Sequence, residues 1–77
     1  MNTTKAMLPS LDVSTRGKRR KAVALIVDML GKIHDAEYDY MERMPQNLRS
    51  SPAYDAAEYS LDFLVEAIND LADAYYY

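Results

Sequence analysis

Two prolines, Pro45 and Pro52, break a pattern of apolar side chains that otherwise recurs every three or four residues. N-terminal to them the series is Val23, Ile26, Leu30, Ile33, Tyr40 and Met44, with Glu37 at its one polar step. C-terminal to them it is Tyr54, Ala57, Leu61, Leu64, Ile68, Leu71 and Tyr75, without interruption. Alternating steps of three and four keep one stripe of an α-helix turned toward a partner. The pattern therefore predicts two helices, over about residues 17–43 and 52–76. Gly31, inside the first, costs ~1 kcal/mol relative to alanine in an exposed helix.

The join between the helices is legible as well. Pro45 drives Met44 out of the α region, so the first helix should end near Arg43. Ser51 can accept an orphan amide, and Pro52 suits the first helical position. Asp55 and Glu58 then place negative charge near the positive end of the helix dipole. A linker this short, Pro45-Gln46-Asn47-Leu48-Arg49-Ser50, makes the helices antiparallel neighbours. Leu48 is expected to plug the closed end. With the turn centred near residue 49, Met44 should face Tyr54, Tyr40 lie near Ala57, and Ile33 near Leu64. Leu30 should then face Ile68, Val23 face Tyr75, and Glu37 meet Leu61. The predicted fold class is all-α, an antiparallel two-helix hairpin occupying residues 14–77, with residues 1–13 as an arm that is extended or packed upon it.

Such a hairpin leaves apolar residues wet. The chain has 77 residues, and a chain this short buries only ~60% of its unfolded surface. Leu25, Met29 and Met41 lie off the first stripe, and Phe63, Val65 and Ala67 off the second. An uncovered patch of that sort marks an interface. Self-association through Leu25, Met29, Phe63 and Ala67 would make a homodimer and complete a four-helix bundle. The longest apolar run, Ala22 to Val27, is far short of the ~18 residues of a membrane span. The first residues lack the pattern of a secretory signal. No membrane association and a cytoplasmic location are the expectation.

Signals for chemistry are sparse. There are no cysteines, and no serine lies in a nucleophile motif. The pair Gly17-Lys18 lacks the spacing of a phosphate loop. His34 and Glu37 reverse the Glu-x-x-His order of carboxylate-bridged di-metal bundles, and only one such pair occurs, with Glu58 and Asp62 as the acids nearest to it in the hairpin register. A solvent-facing histidine is the expectation. Neither enzymatic activity nor a cofactor or metal is expected.

Charge is more informative. Residues 1–21 carry six basic groups against Asp12, whereas residues 22–77 carry three against eleven acids. The cluster Arg16-Gly17-Lys18-Arg19-Arg20-Lys21 opens the first helix, where cations oppose the dipole. It is expected to pair with Asp70, Asp73 and the terminal carboxylate, or else to contact phosphates without base specificity. Along the second helix Asp55, Glu58, Asp62, Glu66, Asp70 and Asp73 fall at steps of three and four. They form a solvated face, or a mimic of a phosphate backbone. Tyr38, Tyr59, Tyr76 and Tyr77 should be partly exposed, and tyrosine is a frequent interface anchor.

The segment Glu37-Tyr38-Asp39-Tyr40-Met41-Glu42-Arg43-Met44-Pro45-Gln46-Asn47-Leu48-Arg49-Ser50-Ser51, continued by Tyr54-Asp55-Ala56-Ala57-Glu58, resembles small helical-hairpin proteins of phages and conjugative elements of Gram-positive and gut bacteria. The resemblance rests on the turn from Met44 to Leu48 and leaves out the N-terminal third. It implies a mobile-element setting, and some small acidic proteins of such elements inhibit host CRISPR machinery. The function expected is a non-enzymatic protein–protein interaction module whose partner is a host or element-encoded protein. One alternative is an acidic inhibitor of a nucleic-acid-targeting defence complex. Another is a nucleic-acid-binding accessory acting through residues 16–21. Expected contact residues are Arg19, Arg20, Glu58, Asp62, Glu66, Tyr76 and Tyr77.

Overall fold

The computed structural model of the protein describes residues 11–76. It is an antiparallel helical hairpin: α1, Arg16–Glu42, and α2, Pro52–Ala74, joined through a 3-10 turn at Gln46–Leu48. Each helix starts on a side-chain cap. Thr15 is extended, and its hydroxyl accepts from the Lys18 amide at 3.1 Å. Ser51 does the same for Tyr54 at 3.2 Å, with Pro52 filling the first helical position. These bonds satisfy amides that helical geometry leaves without partners.

The closed end is tied by a residue that periodicity does not reveal. Arg49 donates from its Nε to the Met44 carbonyl at 3.3 Å and from a terminal nitrogen to the Glu42 carbonyl at 3.1 Å. Its guanidinium also lies 5.9 Å from the centre of the Tyr54 ring. A cation at the end of α1 thus meets orphan carbonyls and the negative end of the dipole together. Leu48, expected as the plug, is instead exposed. Its backbone makes the turn: its amide donates to Pro45 and its carbonyl accepts from Ser51.

α2 presents its whole expected stripe to α1. Ala57 and Leu61 are buried, while Tyr54, Leu64, Ile68, Leu71 and Tyr75 are half-buried. On α1 the stripe is corrected at every second step. Val23, Leu30, Glu37 and Met44 face α2, but the positions between them are Val27, His34 and Met41, in place of Ile26, Ile33 and Tyr40. The reason lies in how the helices approach. Ala57 retains only 1% of its exposure, so α1 passes close over it, and the unbranched Met41 fills the space beside Ala57 and Leu61. A methionine adapts to an irregular gap of that kind, whereas the rigid ring of Tyr40 does not. Met41, expected among the uncovered residues, is therefore core. His34, expected in solvent, lies half-buried on the seam. No helix among the described residues is long and apolar enough to cross a membrane.

Residues 11–13 run without regular structure into the cap of α1, exposed to solvent. The remainder of the expected arm, and Tyr77, lie outside the described residues.

Candidate interaction surface

A two-helix layer has two broad sides, and here they differ in chemistry. One is apolar. From α1, Leu25, Met29 and Ile33 follow one another at i,i+4 spacing, with Ile26 and Tyr40 each seven residues from Ile33, and all five are exposed. α2 contributes Phe63, which is 67% exposed, and the half-buried Ala67. Ile33, Ser60, Phe63, Leu64 and Ala67 line a groove of about 510 Å³, with Glu37 and Tyr59 at its edges. Toward the turn, Tyr40, Met44, Pro45, Leu48 and Ala53 line a second groove of about 320 Å³, with Arg43 and Ser51 as its polar members. The expected self-association residues Phe63 and Ala67 thus border one groove. Leu25 borders a separate recess with Leu11, Lys18, Lys21 and Ala22, and Met29 lies on the same helix face between Leu25 and Ile33.

The opposite side is acidic. Asp55, Glu58 and Asp62 line a cleft of about 550 Å³ whose floor includes Met41 and Leu61, with Tyr59 at its margin. Glu66 lies one turn beyond Asp62 and is exposed. Among the described residues, none of Asp55, Glu58, Asp62, Glu66, Asp70 and Asp73 is ion-paired. Their charges are left to solvent or to a partner. Tyr76 is 81% exposed beyond the end of α2.

The contacts of the basic cluster that fall among the described residues run to the segment before it and to Tyr75, and the terminal carboxylate of the expected pairing lies outside the described residues. Lys18 pairs with Asp12 at 2.8 Å. Arg19 donates to the Val13 carbonyl at 2.9 Å, and the Arg16 guanidinium lies 4.8 Å from the Tyr75 ring centre. The start of α1 is therefore latched to the segment before it and to the last turn of the hairpin, with Asp70 and Asp73 outside that network. Asp12 is the centre of the latch. The Lys18 ammonium, together with the Ser14 amide and hydroxyl that donate to the same carboxylate, lowers its pKa from 3.8 to about 2. An exposed carboxylate before a helix also offsets the cations there. Asp12-x-Ser14-Thr15 carries the sequence signal for this turn and cap, an acid two residues before a serine and a threonine before a helix. Arg49 carries none, because it acts on backbone carbonyls.

His34 keeps 28% of its side-chain exposure, and its Nδ1 lies 3.2 Å from Asp35 Oδ1. Among the described residues no group of three or more His, Cys, Asp or Glu side chains is placed to hold a metal ion. His34, Glu37, Glu58 and Asp62 do not converge.

No protein-family model, no curated protein and no solved structure matches the chain.

Proposed function

We propose that this protein is a non-catalytic interaction module of a mobile genetic element that binds another protein through the apolar side of its hairpin. One observation carries the reading: Ile33 and Phe63, 54% and 67% exposed, line an open groove of about 510 Å³ between the two helices. Monomeric domains seldom leave a continuous apolar strip uncovered, and an aromatic anchor beside a groove is what a partner needs. Most of the residues that line the grooves are alkyl or aromatic, with Glu37, Ser60, Arg43 and Ser51 among them, which suits docking of a helix or a second apolar surface.

The test is a pull-down at physiological salt with the tagged chain and with its Phe63→Asp variant as baits. Proteins retained by the first and lost by the second support the reading, and identical retained sets overturn it.

A second reading is favoured by the acidic side, where six carboxylates of α2 stand without ion pairs among the described residues. On it the chain occupies a basic groove of a nucleic-acid-targeting complex. Charge-driven capture of that kind weakens steeply as salt rises, whereas apolar docking does not. Glu58→Lys and Asp62→Lys should abolish it and leave apolar docking intact.

A further inference from the structure

The open end of the hairpin brings together residues from far apart in the chain. Arg16, Arg19 and Arg20 stand at i, i+3 and i+4 in the first turns of α1, so they are neighbours on one helix face. That face is turned toward the end of α2. The Arg16 guanidinium lies 4.8 Å from the centre of the Tyr75 ring. Arg20 and Tyr75 border a recess of about 260 Å³ walled by Val23, Val27, Leu71 and Ala72. Tyr76 follows, exposed.

The lysines of the cluster are elsewhere. Lys18 and Lys21 border a different recess, with Leu11 and Leu25, on the opposite face of α1, and Asp12 pairs with Lys18 there. The nearest acids of α2 belong to another face as well. Asp70 and Asp73 stand at least about 100° around that helix from both Leu71 and Tyr75. Arginine and tyrosine are therefore sorted onto one side of the open end, lysine and Asp12 onto the other.

That sorting decides between polyanions. The planar arginine fork matches phosphate oxygens and its flat face stacks on rings, whereas a lysine ammonium acts as a point charge. Tyrosine rings add a surface on which the bases of a single strand can stack, since every base has a π-face. A duplex keeps its bases in its own stack and its stiff charge would run against residues 22–77, with eleven acids to three basic groups. A lipid surface offers phosphates but no rings, and gives arginine no role that lysine could not fill. Cations in the first turns also oppose the dipole of α1, a cost that a bound polyanion offsets.

We infer that the open end of the hairpin binds single-stranded nucleic acid. Arg16, positioned over the Tyr75 ring, takes phosphates together with Arg19 and Arg20, and Tyr76 stacks against a base. The bond from Arg19 to the Val13 carbonyl uses one terminal nitrogen of a group with five donor hydrogens. Neither phosphate contact nor stacking reads a base edge, so the site is short and indifferent to sequence. It is separate from the apolar side and from the acidic cleft.

The experiment follows the anisotropy of a fluorescent oligothymidylate of ~12 nucleotides as the full chain is added. A duplex of the same length and anionic phosphatidylglycerol vesicles are measured beside it. With three phosphate contacts, log K should fall with log salt at a slope of about −2, an affinity loss of about 20-fold between about 50 and about 200 mM. Arg20→Gln should make that slope shallower by about 0.7, whereas Lys21→Gln, an equal loss of charge on the opposite face, should leave it unchanged. Tyr76→Ala should weaken binding at least ~5-fold at the same slope. All three positions are exposed, so helix content should not change.

No binding by about 100 µM chain at about 50 mM salt overturns the site. Equal effects of Arg20→Gln and Lys21→Gln overturn its placement on the arginine face. A duplex held as tightly as the single strand, or a Tyr76→Ala chain that binds as the unaltered one does, removes the base contact and with it the single strand. Capture by the vesicles without binding of the oligonucleotide gives this end to a lipid surface instead.

Discussion

At Gly31 the backbone has the negative φ that any residue adopts, and an added Cβ would meet nothing within 4 Å. Nothing in the hairpin requires glycine there. Its cost is the wider conformational freedom it restores to the unfolded chain. Gly31→Ala should stabilise the protein by about 0.4–1 kcal/mol, read as a higher urea midpoint at unchanged slope. A lower midpoint would mean that a backbone or side chain from another molecule approaches this point. Asp12 supplies a prediction of a different kind. Because its carboxyl is lowered from 3.8 to about 2 by Lys18 and the two Ser14 donors, the native state favours the ionised form more than the unfolded chain does. Its stabilising effect is complete above the unfolded value and is lost as pH falls from near 4 through about 2. The Ser14 amide resonance should titrate with a midpoint near 2 and move toward 3.8 in Lys18→Ala. Added salt should shrink the shift, since the pair is exposed. A Ser14 midpoint already at the ordinary aspartate value in the unaltered chain would mean that the latch does not form in solution.

The two helices differ in how plainly the chain announces them. For α2 every stripe position that periodicity assigns is turned to α1, because its remaining positions are polar, small or widely scattered and allow one solution. α1 offers two overlapping stripes. Both contain Val23, Leu30, Glu37 and Met44, and one adds Ile26, Ile33 and Tyr40 while the other adds Val27, His34 and Met41. By hydrophobicity the first wins. The fold takes the second, because close passage over Ala57 asks for a slender side chain at residue 41, a property of the pair of helices that a single stripe does not carry. The same choice enlarges the candidate site. Phe63 and Met29 were legible as uncovered, but the two isoleucines that make the groove continuous become visible only once the seam has turned away from them. At the closed end the caps were readable and the clasp was not. Ser51→Ala should cost about 1 kcal/mol of stability for the lost cap. Arg49→Ala should cost about 1–2 kcal/mol, since it strips two carbonyls of their donor at once. Arg49→Lys should recover only part of this, because an ammonium cannot fork to both carbonyls. Equal losses for the alanine and lysine variants in chemical denaturation would show that the forked geometry does not matter.

A whole molecule built this way has its stability bound up with its covering. Among the described residues Ala22, Met41, Met44, Ala57 and Leu61 are buried, a thin core against the entropy of ordering more than sixty residues. If the apolar side is shared with a second copy, folding and association are linked, and the native state is favoured by mass action. The unfolding free energy per chain then grows by about 0.7 kcal/mol for each tenfold rise in protein concentration, half of the 1.4 kcal/mol that one tenfold step contributes to the dimer. For a domain of this size that shift moves the melting temperature by roughly 3–6 °C. A melting series from about 5 to about 500 µM would then climb by roughly twice that amount. Phe63→Asp would melt lower and at one temperature throughout, because the substitution removes the linkage and leaves the seam between α1 and α2 in place. The variant also separates two origins of a low melting point. A weakened hairpin loses temperature evenly at every concentration, whereas a lost partner costs most where the unaltered chain was most concentrated. A flat series in the unaltered chain would mean that this seam holds the hairpin without help, and that the strip from Leu25 to Phe63 waits for something other than its own kind.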